Sequence, residues 1–322
     1  MDFSFLFESA LILVLALFID AVFGEVPDRF HPTVWMGNVI AYLKPRIRSG
    51  NSRVEKVNGV LLCMGVSALF AVPALLIVYF TRLWLGLIPY VIVSAVLLKF
   101  TFALKCMGQY TLPIAEALER GNLDGAKRWL HFIVRRDPAS LDERHVVSAA
   151  VESIAESTTD AVTSALFFFG LFGVAGAFVF RVVNTLDSMV GYRDAANVNI
   201  GWFSAKLDTV LNYVPARLTG SLMVLASMLL GERWRDSWRI MLRDRRNMVS
   251  INAGWTIGAM AGALGVQLEK LGVYKLGDEG ELKPIDIRRA LRMMALTVIL
   301  FSITIVIPIL LLEALLFGIM GY

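Results

Sequence analysis

The sequence predicts an all-α, polytopic membrane protein with broken or re-entrant helices and helical loops on the cytoplasmic side. Three observations carry that expectation. Hydrophobic residues make up 57% of the 322 positions and charged residues only 18%, with a mean hydropathy of +0.65; soluble domains average about 25% charged. Apolar runs of roughly 18 residues or more, the length a bilayer demands, recur along the chain. Polar groups gather between those runs, most densely in 181–219, which holds Asp187, Asp194 and Asp208 with Arg181, Arg193, Lys206 and Arg217. The expected organisation is one integral membrane domain, 1–322, of about four to six spans, with soluble-like insertions at 105–160 and 231–292.

Phe3 to Val22 is the first span. Its start lacks a basic region and no small-residue cleavage site follows, so it is expected to remain as a helix. Pro27 and Pro32 then shape a loop that carries His31, a ligand, a phosphate contact or a structural hydrogen-bonder. Val57–Phe80 and Leu83–Phe100 read as a hairpin turning near Arg82, with Lys99 snorkelling to the headgroups. Amphipathic helices are expected over Leu112–Leu118 and Ala126–Val134, on either side of a turn at 120–122.

Ser140 or Asp142 can cap the next helix, whose apolar stripe is Val146, Val147, Ala150, Val151 and Ile154. Glu152, Glu156 and Asp160 fall four residues apart on that helix. Such spacing stacks three carboxylates that repel by a few tenths of a kcal/mol per pair. The stack is either a solvated acidic face or a divalent-metal or general-base site. Residues 161–183 are apolar but interrupted by Gly170, Gly173 and Gly176, a plain span or a broken helix pair. Residues 213–230 form a short apolar run containing Pro215 and Arg217. ERWRDSWRIMLRDRRN suggests an interfacial helix with Trp234, Trp238 and Met241 on one face. Gly258 and Gly262 suggest a close packing face, and 293–322 is the last span.

Lys and Arg number six in 24–56, seven in 101–160, two in 184–212 and twelve in 231–292. Six alternating spans would put the cation-rich loops in the cytoplasm and the Asp187 stretch outside. Failure of both 161–183 and 213–230 to cross keeps every polar motif on the cytoplasmic face, and this arrangement is the one expected. The net charge of +4 and pI near 9.1 suit anionic lipid headgroups, not nucleic acid. Cys63 and Cys106 have neither disulfide-framework nor zinc spacing.

AVESIAESTTDAVTSALFF, RVVNTLDSMVGYRD and GWFSAKLDTVLNYVPARLTG, in that order, resemble the CobD/CbiB family of cobalamin biosynthesis, membrane proteins regarded as adenosylcobinamide-phosphate synthases. DAVFGEVPDRFHPTVWMG, IVRRDPASLDE and NAGWTIGAMAGALGV extend the likeness across about residues 15 to 275. Departures are Glu25 for the family's Asp, Arg135 for a Gly before Arg136-Asp137, and Met248-Val249-Ser250-Ile251 for His-Pro-Ser-Pro.

The resemblance implies an amide bond between a propionate of adenosylcobyric acid and aminopropanol or its O-phosphate, with ATP and a divalent cation, Mg²⁺. The expected location is the cell membrane, as a multi-pass protein, and the oligomeric state is left open between a lone chain, a homo-oligomer and a complex with other corrinoid-pathway membrane enzymes. A carboxylate becomes electrophilic as an acyl phosphate, a step that needs cations and a metal on the phosphoryl oxygens. The attacking amine needs a base. The candidate catalytic carboxylates are Glu152, Glu156, Asp187 and Asp208. His31, Arg181, Asn184, Arg193, Asn212 and Arg217 are candidates for substrate or phosphate binding. Glu152, Glu156, Asp160 and Asp187 are the candidate metal ligands. The sequence contains no Walker A motif, so ATP use rests on the resemblance. A membrane phosphotransferase is the enzyme alternative, although Asp187 is followed by Ser-Met-Val-Gly and not by the CDP-alcohol motif. A transporter is the non-enzyme alternative, favoured by faulted helices and disfavoured by the lack of an evident repeat.

Overall fold

The computed structural model describes residues 4–134 and 137–320, so Arg135 and Arg136 of the Arg-Asp segment lie outside the described residues. The protein is all-α and polytopic. Among the described residues, five helices are long and apolar enough to cross a membrane: Ser4–Phe23, Ser52–Leu85, Leu87–Glu119, Glu143–Val190 and Pro284–Leu316. Tyr213–Leu229 has 17 residues, below the roughly 20 a span needs.

The chain gathers into two compact units. The first comprises Met1–Ala103, Ser164–Leu211 and Ile303–Tyr322. It contains α1 (Ser4–Phe23), α2 (Pro32–Leu43), α3 (Ser52–Leu85), α4 (Leu87–Lys99), α8 (Ser164–Val190), α9 (Trp202–Leu211) and α14 (Ile307–Met320). Helix α1 packs on α4 and α14, and α3 packs on α8. Asn51 starts α3 by accepting from the backbone N–H groups of Arg53 and Val54. At about 1.5 Å per residue its 34 residues exceed the bilayer core. The turn into α4 falls at Gly86, which takes φ 81°, and not at Arg82. Glycine is the residue that adopts this backbone without strain, whereas Arg82 stays helical and pairs with Glu8 at 2.8 Å.

Lys99 does not snorkel. Its side chain is 3% exposed and pairs with Asp20 at 3.2 Å and Glu25 at 2.7 Å, because a buried acid and a partly buried one offer the ammonium more than the interface does. Helix α8 breaks at Phe172 and Gly173, where φ is −140° and 63°. The interrupted-helix alternative therefore describes 161–183. After α8 the chain folds back through a turn at 194–201. A Cβ on Gly201 would come within 1.7 Å of the Val190 carbonyl, and one on Gly59 of α3 would meet the Ile200 carbonyl at 2.1 Å.

The second unit comprises Leu104–Thr163 and Asn212–Ser302. It contains α5 (Leu104–Glu119), α6 (Leu123–Leu130), α7 (Glu143–Ser157), α10 (Tyr213–Leu229), α11 (Trp234–Asp244), α12 (Ala253–Leu264) and α13 (Pro284–Phe301). Both soluble-like insertions fall here. Asn122 caps α6, and Asp142, not Ser140, caps α7. The five predicted apolar residues of α7 are all buried. The backbone winds as a π-helix over Thr158–Thr163, so the four-residue repeat that would stack Asp160 on Glu156 stops short of it.

Every residue of α12 except Trp255 is buried, as its Ala- and Gly-rich sequence allows. Gly258 and Gly262 do form a packing face, against the backbone of α11 at Met241 and Asp236. On α11, Trp234 and Trp238 are exposed but Met241 is fully buried. The apolar face is thus divided, since Ile240 and Met241 turn toward α12 while the indoles face outward. Two short antiparallel strands, β1 (Leu268–Lys270) and β2 (Tyr274–Leu276), follow in a loop for which only helix was expected. The last membrane helix starts at Pro284, earlier than residue 293, and the Asp286 side chain accepts from the Lys283 N–H at 2.9 Å at its start.

Candidate functional site

In the first unit, α8 carries Arg181, Asn184 and Asp187 at three-residue spacing, which places them on neighbouring turns of one face. Arg181 and Asp208 are buried, and a buried charge is tolerated only when hydrogen-bonded. Arg181 donates through Nε to the Thr101 carbonyl at 2.6 Å and through Nη1 to Asn184 Oδ1 at 3.2 Å. Asn184 passes the chain on, donating from Nδ2 to Asp208 Oδ1 of α9 at 3.2 Å. Three sequence-predicted residues thus converge on one polar line, with a neutral amide linking cation and anion. Asp187 is half-buried, and its Oδ1 sits where a Cβ on Gly191 would come within 2.1 Å. Glycine at 191 therefore leaves room for this carboxylate. Arg193 lies exposed in the following turn, where Asp194 is held below the usual carboxylate range by the Asn197 side chain.

His31 is the N-cap of α2. Its Nδ1 accepts from the Thr33 N–H at 3.2 Å, so Nε2 carries the proton given to Glu25 at 2.7 Å. Both ring nitrogens are therefore used within the chain, alongside the Lys99 ion pairs. Burial pushes Glu25 up, but hydrogen bonds from His31 and Lys99 outweigh it and hold the carboxyl below its ordinary value. Glu55 of α3 is also buried and accepts from Ser49 N–H and Asn199 Nδ2. That contact ties the 194–201 turn to α3.

In the second unit, Glu152 is 6% exposed. Its two oxygens accept from Ser148 Oγ at 2.7 Å and from Tyr274 Oη at 2.5 Å. Ser148 also accepts the Glu269 N–H at 2.8 Å, which anchors the β-hairpin to α7. Glu156 is exposed and Asp160 half-exposed, so the carboxylates predicted to stack occupy different environments. Asn212 is buried and its carbonyl accepts the Ala216 N–H at the start of α10. Arg217 donates to the Tyr213 carbonyl at 2.5 Å and to Asn252 Oδ1 at 3.1 Å.

Among the described residues, no group of three or more His, Cys, Asp or Glu is placed to hold a metal ion. Mg²⁺ carried on phosphates needs only one or two protein carboxylates. Taken unit by unit, Asp187 in the first, and Glu156 and Asp160 in the second, offer carboxylate oxygens of that kind. Glu152, already given to two hydroxyls, fits less well.

Sequence reasoning missed Thr101, Ser148 and Tyr274. Thr101 acts through its carbonyl, which no side-chain pattern reveals. Tyr274 follows Gly272, whose φ of 70° makes the hairpin turn, and that glycine was the available signal.

A family model described as CobD/Cbib protein matches residues 13–294. A probable cobalamin biosynthesis protein CobD of Methanothermobacter thermautotrophicus is 43% identical over 294 residues, 91% of this chain and 95% of that protein. The cobalamin biosynthesis protein CobD of Dehalococcoides mccartyi is 42% identical, covering 84% of this chain and 88% of its own. That of Geobacter metallireducens is 41% identical over 87% of this chain and 89% of its own. No solved structure gives a match.

Proposed function

The chain belongs to the CobD/CbiB family, and on that premise we propose that it is an amide-forming synthase joining adenosylcobyric acid to aminopropanol or its O-phosphate. Family membership supports a role in cobalamin biosynthesis and a corrinoid substrate. The observation that carries the finer reading is the Arg181–Asn184–Asp208 line, a buried cation and a buried acid held by one amide beside Asp187. In the proposed reaction the corrin propionate attacks the γ-phosphorus of ATP, giving an acyl phosphate and ADP. The amine then attacks the acyl carbon, phosphate leaves, and the amine proton passes to a carboxylate.

Arg181, Arg193 and Arg217 are the guanidiniums proposed to meet phosphate or carboxylate oxygens. Glu156, Asp187 and Asp208 are the carboxylates proposed for base or metal-binding roles, Asp160 being assigned to the metal alone. Glu152, between its two hydroxyl donors, is proposed as a positioned carboxylate. Mg²⁺, when bound, supplies charge neutralisation on the phosphoryl oxygens. The polar motifs are proposed to face the cytoplasm, where ATP is found.

The test uses purified protein in detergent with ATP, Mg²⁺, adenosylcobyric acid and aminopropanol or its phosphate. ADP release that requires both organic substrates, together with an amide product, is expected. In the same assay Glu156→Gln should lower the rate at least 100-fold while insertion is unchanged. Substrate-independent ATP turnover, or no product with either amine, would sink the ligase reading.

A further inference from the structure

Arginines near the junction of α11 and α12 in the second unit include two contrasting kinds. Arg239 and Arg243 on α11 are neutralised by Asp236, Asp244 and Asp278 at 2.6–2.8 Å. Arg217 of α10 and Arg245, just past α11, are not. Among the described residues, neither has a carboxylate within ion-pairing distance, although both are only partly exposed.

Both guanidiniums sit over one indole. The Cζ of Arg217 lies 5.1 Å from the Trp255 ring centre and that of Arg245 lies 4.9 Å from it. Arg217 is also stacked 3.3 Å from the Tyr213 ring and bonded to Asn252, whose side chain is buried. Burial disfavours the charged form of Arg217, and the nearby Arg245 adds like-charge repulsion, although the Tyr213 contact offsets part of both. Ring stacking and hydrogen bonds to Tyr213, Leu242 and Asn252 fix the orientation of the forks without neutralising either charge.

A preformed pair of oriented forks with two positive charges is matched by a group carrying two negative charges and several acceptor oxygens. We infer that Arg217 and Arg245, set around Trp255, form a phosphate subsite that takes a terminal phosphate group. The assignment extends the synthase reading to a specific place. It rests on that reading only for which phosphate is bound, that of the nucleotide or of the amine. A phospholipid headgroup shares the chemistry, with a single charge.

The experiment measures binding of inorganic phosphate and of pyrophosphate to the full chain in nanodiscs of zwitterionic lipid. Calorimetry at constant ionic strength reads affinity, and Trp255→Phe identifies the fluorescence change that belongs to this site. Saturable binding is expected, weakened at least tenfold in both Arg217→Lys and Arg245→Lys, since lysine keeps the charge and loses the fork. Arg245→Gln serves as a second variant, with size-exclusion profiles checking that each remains folded. Loss of phosphate binding in discs containing phosphatidylglycerol would keep the phosphate chemistry and assign the source to lipid. Absence of binding, or affinity unchanged in both lysine variants, overturns the subsite. If the amide assay still succeeds in that case, the subsite falls and the synthase reading stands.

Discussion

Arg181 and Glu152 are both buried charges on long helices, yet they are held in opposite ways. Arg181 reaches a backbone carbonyl and, through Asn184, an acid on another helix, so its surroundings contain compensating charge. Among the described residues, Glu152 accepts from two neutral hydroxyls, one a turn away on its own helix and one delivered by a hairpin more than a hundred residues later. The first arrangement links two ionised groups through an amide. The second stabilises one anion by hydrogen bonds alone. The difference teaches that a buried charge can be read from its own helix, but the way it is neutralised cannot.

The comparison can be broken most directly at Arg181. Arg181→Leu removes the buried cation together with its hydrogen bonds to the Thr101 carbonyl and Asn184, leaving those acceptors without it. It should cost roughly 3–5 kcal/mol, read as a lowered thermal midpoint in detergent. A cost below that of the Tyr274 variant would dissolve the distinction between the two sites. Tyr274→Phe deletes one donor to the buried Glu152 carboxylate and should cost roughly 1–3 kcal/mol. In hydrogen exchange, faster exchange confined to 268–276 would show that this bond secures the hairpin. Uniform exchange across the chain would contradict that.

Asp244 sharpens the contrast, because it combines both modes. Burial pushes its carboxyl up, but hydrogen bonds from Arg243 and the Gly277 N–H outweigh this and hold it below its ordinary value. A depressed pKa contributes stability above the unfolded value near about 3.9 and loses it as pH falls through the lower folded one. Asp244→Asn should therefore cost about 1 kcal/mol at neutral pH. The gap from the parent protein should begin to narrow as pH falls below about 4 and close only below the lower folded value. A gap that does not narrow at all as pH falls from neutral into the acid range would assign the effect to shape and not to charge.

The helical membrane class and most helix positions were legible because hydropathy and apolar periodicity are local properties. Asp142 capping α7, the buried stripe from Val146 to Ile154 and the glycine face of α12 all follow from neighbours in sequence. The π-helical turn at 158–163 was not legible, since one changed winding leaves no mark on residue spacing, and it removed Asp160 from the expected stack. Lys99 was read as a snorkelling residue because Asp20 and Glu25, its partners, are more than seventy positions away. Within the candidate site, Arg181, Asn184 and Asp208 were found by type and position. Tyr274 and Arg245 depended on contacts across the fold.

The glycine ridge of α12 carries a consequence for how this protein tolerates change. A Cβ at Gly254 would come within 2.3 Å of the Arg245 carbonyl, and one at Gly262 within 2.4 Å of the Asp236 carbonyl. Both obstacles are backbone, which cannot rotate aside as a side chain can. Substitution at either position must separate the α12 face from α11 and its C-terminal extension before any new side chain fits. In a saturation library these positions should accept almost nothing, while exposed Trp234 and Trp238 on the far side of the pair accept many residues. The separation would also shift Arg245, so the mutational silence of a small, apolar, chemically inert helix reports on where a neighbouring charge is held.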